Sequence, residues 1–184
     1  MNNQTTKLQL LQQHTVLVAQ LVAEVHSLSA QLPDATQIAI TSKDGNNDWT
    51  TSTGRCNIDP RTYRTVNQQL NNSYIHQLVQ EFEQYSRWRI MHILPRRTYS
   101  VHQDGNPHRT NHRLHIPVVT NPHSWMLFYT QPPTNGTLEV EHHHLKPGSV
   151  YNVDTTGLHT AVNWGTTTRT HIVAERTWPN AAKR

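Results

Sequence analysis

At 184 residues, with 34% hydrophobic positions and a formal charge of +4, the chain is the size of one domain spanning residues 1–184, able to bury roughly two-thirds of its unfolded surface. Cys56 is the only cysteine, which excludes an intrachain disulfide and a cysteine-built zinc cluster and makes a reducing, cytoplasmic setting the expectation. No signal peptide is visible, no apolar run approaches the ~20 residues of a membrane helix, and the sixteen Lys and Arg are scattered, so neither membrane nor specific nucleic-acid binding is expected.

Residues 6–32 read as one helix. Leu11, Val18, Val25 and Leu32 recur every seven positions, Leu8, Leu21, Val22 and Leu28 widen the stripe, and Pro33 stops it. Such a helix (within an N-terminal segment 1–33) either packs on the outside of the domain's sheet or makes a homo-oligomer with a second copy; His14 and Thr15 interrupt its seam. Residues 37–41 alternate as a short strand, and Lys43-Asp44-Gly45-Asn46-Asn47 is a turn. The stretch 46–71 is polar and irregular, with Trp49 and Tyr63 as its anchors into the core, and a loop of that length is a candidate substrate lid. A second helix follows over 74–85, apolar at Ile75, Leu78, Val79 and Phe82. From Trp88 the pattern turns to strands: 88–94, 98–102, 112–119, 125–129, 137–142, 149–153, 159–163 and 168–174 are short, alternating or β-branched, with breaks such as Lys146-Pro147-Gly148. About eight strands joined by turns predict a mainly β domain with a closed or double-sheet core over 86–175.

His102-Gln103-Asp104, with His159 and Arg169 far downstream, is the constellation that carries chemistry. On an extended chain, residues i and i+2 point to one face, so His102 and Asp104 can grip one ion from a single strand end. His159 must then arrive from a distant strand. Two histidines and one carboxylate are a facial triad, which leaves the opposite face of a ferrous ion open. Arg169, ten residues on, is far enough for a return strand to bring a planar fork of donors towards the metal, where it suits a carboxylate.

Val101-His102-Gln103-Asp104, His112-Arg113-Leu114-His115-Ile116-Pro117, Leu145-Lys146-Pro147-Gly148, Tyr151-Asn152-Val153-Asp154, His159-Thr160-Ala161-Val162-Asn163 and Arg169 together resemble the aspartyl/asparaginyl β-hydroxylase branch of the Fe(II)/2-oxoglutarate dioxygenases. Bacterial free-proline hydroxylases share that pattern. The resemblance implies a double-stranded β-helix (a jelly roll, cupin-like) with N-terminal helices on the outer face of the larger sheet. It further implies Fe(II) held by His102, Asp104 and His159, with 2-oxoglutarate as co-substrate and O2 as oxidant. Arg169 would hold the distal carboxylate of 2-oxoglutarate, and Arg113 and His115, an Arg-x-His element, would lie in the co-substrate pocket. The implied activity is hydroxylation of an amino acid or a protein side chain, of aspartyl, asparaginyl or prolyl type, with release of succinate and CO2. Asp104 is a departure, because the animal aspartyl hydroxylases lack an acid there; the full triad is closer to the free-amino-acid enzymes.

Two other classes fit parts of the pattern: a redox-neutral, cupin-like metal enzyme such as an isomerase, and a non-catalytic β module that oligomerises through its N-terminal helix. His142-His143-His144 cannot all reach one ion, since consecutive strand residues face opposite ways, and solvent exposure before a turn is expected for them. His108 and His112 flank the loop after Asp104, within reach of a substrate. Asn163 and Trp164 are expected to pack near the pocket.

Overall fold

The computed structural model describes residues 7–13, 17–54, 58–104, 112–129 and 138–177; Cys56 and His108 lie outside them. In chain order the elements are β1 (Leu8–Gln13), α1 (Val18–Gln31), β2 (Gln37–Ala39), β3 (Thr41–Ser42), β4 (Thr65–Val66), α2 (Tyr74–Glu81), β5 (Tyr85–Ile93), β6 (Arg97–Thr98), β7 (His112–Val119), β8 (Ser124–Tyr129), β9 (Val140–His143), β10 (Ser149–Asp154), β11 (His159–Asn163) and β12 (Arg169–Arg176). A six-stranded sheet runs β1-β10-β7-β12-β5-β2, and a four-stranded sheet runs β6-β11-β8-β9. Every pairing within them is antiparallel. From β5 to β12 the chain visits both sheets so that β5, β12, β7 and β10 face β6, β11, β8 and β9. That is the strand order of a jelly roll, the double-stranded β-helix.

Period-two alternation explains why the large sheet has one oily face and one charged face. On β7, Leu114, Ile116 and Val118 join the main apolar core, while Arg113 and His115 line a cavity between the sheets. On β12, Ile172 and Ala174 point to the same core, and Arg169 and Val173 line the cavity. On β5, Trp88 and Ile90 oppose Arg89 and Met91 in the same way. The core beneath this face includes Leu21, Val25 and Leu28 of α1 and Ile75 and Leu78 of α2, and each such side chain contributes about 1.5–3 kcal/mol on burial. Glu24 on α1 accepts hydrogen bonds from the backbone N–H groups of Tyr74 (2.8 Å) and Ile75 (2.9 Å). Ser73 caps His76 N–H at 3.1 Å. A carboxylate from one helix thus satisfies and charge-matches the N-terminus of the other. No helix among the described residues is long and apolar enough to cross a membrane.

The structure corrects the N-terminal reading. A single helix over 6–32 is not formed: residues 8–13 are a strand, and the helix begins at Val18. β1 pairs with β10, with Leu8 opposite Val153 and Leu10 opposite Tyr151, and so occupies the ladder edge that β10 would otherwise expose. Leu8 and Leu11 fit a seven-residue repeat, but the unpaired edge of β10 offers their backbone a partner that no local pattern displays. A helical seam running the length of 6–32 is therefore absent. The second helix ends at Glu81, not 85, because Tyr85 enters the sheet opposite Arg176. The strand expected over 98–102 is a two-residue ladder at 97–98 with one isolated bridge at His102. The 37–41 segment breaks at Ile40 into β2 and β3. The 46–71 stretch holds β4 and two short 3-10 turns, Pro60–Thr62 and Gln68–Leu70. Tyr63 is buried, and Trp49 packs against the core.

Asn163, fully buried at the end of β11, fixes the turn into β12. Its Oδ1 accepts from Asn121 Nδ2 (3.0 Å), Ser124 Oγ (3.0 Å) and Gly165 N (3.1 Å), and its Nδ2 donates to the carbonyls of Ile93 (2.8 Å) and Thr167 (2.8 Å). Asn163→Ala strands several of these groups away from water, so a loss of about 1–3 kcal/mol is expected. The urea midpoint measures it, and an unchanged midpoint would contradict the network.

Candidate active site

The mouth of the cavity is built by a short antiparallel bridge between two distant segments. His102 N–H donates to His159 carbonyl at 3.0 Å, and His159 N–H returns a bond to His102 carbonyl at 2.9 Å. The two imidazoles consequently sit side by side, with ring centroids 4.4 Å apart. His102 Nδ1 lies 2.8 Å from Ser100 carbonyl, and His159 Nδ1 lies 2.9 Å from Gly157 carbonyl. A carbonyl can only accept, so in both rings Nδ1 carries a proton and Nε2 is the nitrogen left to face an ion. Asp104 is anchored by its N–H to Thr155 carbonyl (3.3 Å). Its oxygens lie 3.9 Å from His102 Nε2 and 3.8 Å from His159 Nε2. The three donors fall within 4.8 Å of one another, the one such cluster among the described residues. Asp104 Oδ2 is buried with no hydrogen-bond partner among those residues, a demand that a cation would meet. Two imidazole Nε2 atoms and a carboxylate with one oxygen unsatisfied fit a divalent metal.

Arg113 lies on that carboxylate: its Nη2 is 2.5 Å from Asp104 Oδ1. Arg113 and His115, expected in the co-substrate pocket, both line the cavity, and the acid that Arg113 meets is the triad's own. His115 lines the same cavity, fully inside.

Arg169 stands deeper, 3% exposed. Its Nη2 donates to His171 Nδ1 at 2.9 Å and approaches Met126 Sδ at 3.7 Å. No carboxylate ion-pairs with it among the described residues, and those include all twelve Asp and Glu of the chain. Burial lowers its pKa to about 10, so it stays charged at neutral pH. A fixed cation without a counter-ion is an expensive thing to bury. His102, Asp104, His159, Arg113, His115 and Arg169 all line one cavity of about 360 Å³.

Sequence reasoning passed over three residues here. His171 follows Arg169 by two on the same strand, so the period-two rule that placed His102 beside Asp104 would have found it. Arg87 and Arg89 line the cavity from β5 and share Glu175 Oε1 at 2.6 and 3.3 Å; they too are two apart, but Arg87 sits at a positive φ of 52° that no pattern foretells. Other expectations shift as well. His142 is exposed, but His143 is half-buried beside Phe128, and His144 is half-buried with Nδ1 2.9 Å from Ser124 carbonyl. His112 meets Asn152 at 3.4 Å, and Trp164 is exposed. From the 46–71 segment, Gly54 reaches the cavity rim.

Burial, and then the neighbouring Arg169 charge, hold His115 and His171 well below the ordinary 6.5. Their neutral forms stabilise the fold fully above the unfolded value of 6.5, and that contribution is lost as pH falls through the lower folded values. Denaturation midpoints are expected to be flat above about pH 7 and to fall towards about pH 5. A midpoint constant across that window would show that these rings are not buried neutral.

No family model and no curated protein matches this sequence. Solved structures do match over nearly its whole length. A 2OG-Fe(II) oxygenase family oxidoreductase from Burkholderia pseudomallei superposes with a TM-score of 0.59 at 15% identity, covering 98% of this chain and 88% of its own. AviO1 from Streptomyces viridochromogenes Tue57 gives 0.56 at 16% identity, covering 95% and 91%. The non-heme alpha ketoglutarate dependent epimerase SnoN from nogalamycin biosynthesis gives 0.53 at 13% identity, covering 92% and 78%. The chain therefore has the double-stranded β-helix fold that these structures share, with a His–Asp–His cluster at the mouth of its cavity.

Proposed function

We propose that this protein is an Fe(II)- and 2-oxoglutarate-dependent oxygenase that hydroxylates an amino acid, free or within a polypeptide, and releases succinate and CO2. The observation that carries the reading is Arg169: a buried guanidinium that pairs with no acid among the described residues, in the cavity that the His–Asp–His cluster opens onto. A dicarboxylate reaching from metal to guanidinium answers both demands. His102, Asp104 and His159 would hold the ion, and Arg169 would take the distal carboxylate in a charge-assisted pair. His171 positions that guanidinium by accepting its N–H. Arg113 holds one oxygen of Asp104 and leaves the other for the metal, so outer partners set the geometry of the ligand. When bound, iron and 2-oxoglutarate supply the oxidising chemistry, in which O2 is consumed, the oxo acid is decarboxylated and a C–H bond becomes C–OH. The aspartyl/asparaginyl branch remains the sequence resemblance it began as, with the Arg113–Asp104 pair as a feature that an enzyme lacking this acid could not build.

The test is succinate release by purified protein with Fe(II) and 2-oxoglutarate across free amino acids and short peptides. Turnover, even without a productive substrate, is expected. A protein that binds the metal yet consumes no 2-oxoglutarate would instead be a redox-neutral enzyme or a binding module.

A further inference from the structure

The loop between β10 and β11 sets the direction of the metal cluster's side chains. Three successive carbonyls along it each accept a hydrogen bond from the segments that carry the cluster. Thr155 takes the backbone N–H of Asp104 at 3.3 Å, Thr156 takes Gln103 Nε2 at 2.5 Å, and Gly157 takes His159 Nδ1 at 2.9 Å. Both distant halves of the triad are therefore tied to the same three residues. Those residues belong to no strand, and Thr156 and Gly157 are only half-buried. Whatever fixes their peptide planes also fixes the ligands.

Asp154, the last residue of β10, does this from outside the cavity. It is 5% exposed, and its Oδ1 accepts from Thr156 N–H at 2.9 Å and from the Thr156 hydroxyl at 2.6 Å. Such a side-chain-to-backbone turn pins the peptide that follows Thr155. Its Oδ2 lies 3.3 Å from Lys7 Nζ, and its own N–H donates to Lys7 carbonyl at 2.9 Å. A side chain at Gly157 would meet the same Nζ at 3.7 Å, so the ammonium rests against the far end of the loop as well. A buried carboxylate needs partners, and these are the loop on one side and the residue ahead of β1 on the other.

We propose that Asp154 is a positioning residue for the metal centre, and that Lys7 fastens it to the N-terminal strand. The proposal rests on the metal-binding reading of the His–Asp–His cluster. Without the Asp154 acceptor, the Thr156 peptide is free to turn, and the carbonyls on either side of it turn too. Asp104 and His159 then lose their fixed directions and must be ordered by the ion itself. β1 thus contributes to the site although it supplies no ligand.

The experiment titrates the full-length protein with Co(II) against a chelator of known affinity, recording the visible bands of the bound ion, with a urea midpoint beside each titration. Asp154→Ala is expected to bind Co(II) about 10–100-fold more weakly and with shifted bands. Asp154→Asn, which keeps an oxygen for Thr156 N–H, is expected to recover most of that loss. Ser73→Ala removes the cap of α2 and is expected to lower the urea midpoint while leaving affinity and bands as in the parent. Parental affinity and bands in Asp154→Ala overturn the proposal. So does an Asn variant as weak as the Ala one, or an equal loss in Ser73→Ala. If Asp154→Ala does not fold, Lys7→Met decides: a loss of about two- to fivefold that Lys7→Arg restores supports the proposal, and parental affinity overturns it. A parent protein that takes up no Co(II) sinks the metal reading itself, and one that binds Co(II) but not 2-oxoglutarate sinks the oxygenase reading alone.

Discussion

Arg169→Met protein is expected to melt at or above the temperature of the parent and yet to have lost its affinity for 2-oxoglutarate. This guanidinium is buried without an acid among the described residues, held by His171 and the Met126 sulfur, and burial draws its pKa down to about 10. Exchanging a buried charge for an apolar side chain of similar length is commonly neutral or stabilising by about 1–4 kcal/mol. Against that, His171 Nδ1 loses its donor, which costs about 1 kcal/mol or more, so the net gain is small. Binding moves the other way. Removing one partner of a buried charge pair costs about 2–5 kcal/mol, which predicts 2-oxoglutarate affinity weaker by about three-hundredfold at the middle of that range. Anaerobic titration of the visible band against 2-oxoglutarate, beside a thermal melt, reads both halves. A variant that unfolds more easily but still binds the oxo acid would show that Arg169 is a structural cation.

His159→Ala is expected to abolish tight metal binding with little change in backbone structure. The bonds that align β11 with residue 102 are made by main-chain atoms, so they survive truncation, whereas the His159 Nε2 that faces Asp104 does not. Loss of an outer partner alone lowers metal affinity by about 10–100-fold, and loss of a ligand must exceed that. Arg113→Gln, which frees Asp104 Oδ1 but keeps all three ligands, should fall within that smaller range. Competition with a chelator of known affinity for Fe(II) or Co(II) gives the numbers. Equal affinity for the parent and the His159 variant would remove the metal centre from consideration.

What the sequence made legible follows the range of the physics. Two strands, 112–119 and 159–163, coincide with β7 and β11, because β-branched alternation is a local signal that the sheet reinforces. The cluster was legible for the same reason: same-face spacing at His102 and Asp104, and a return strand carrying Arg169. What depended on distant partners was hidden. Residues 8–13 satisfy helical spacing as well as they satisfy an edge strand, and β10 decides between them. That Arg113 also meets Asp104 was hidden, because nothing in the spacing of 104 and 113 reveals it. Arg87 and Arg89 carry no local mark, since their partner Glu175, buried with them, lies 86 residues or more away in sequence.

The reciprocal hydrogen bonds joining residues 102 and 159 have an entropic consequence. Two of the three donors are preset as one rigid unit before any ion arrives, so their ordering is settled during folding and not during loading. Asp104 is held as well, by the Thr155 carbonyl and the Arg113 guanidinium, so an entering ion loses little free energy to the ordering of its ligands.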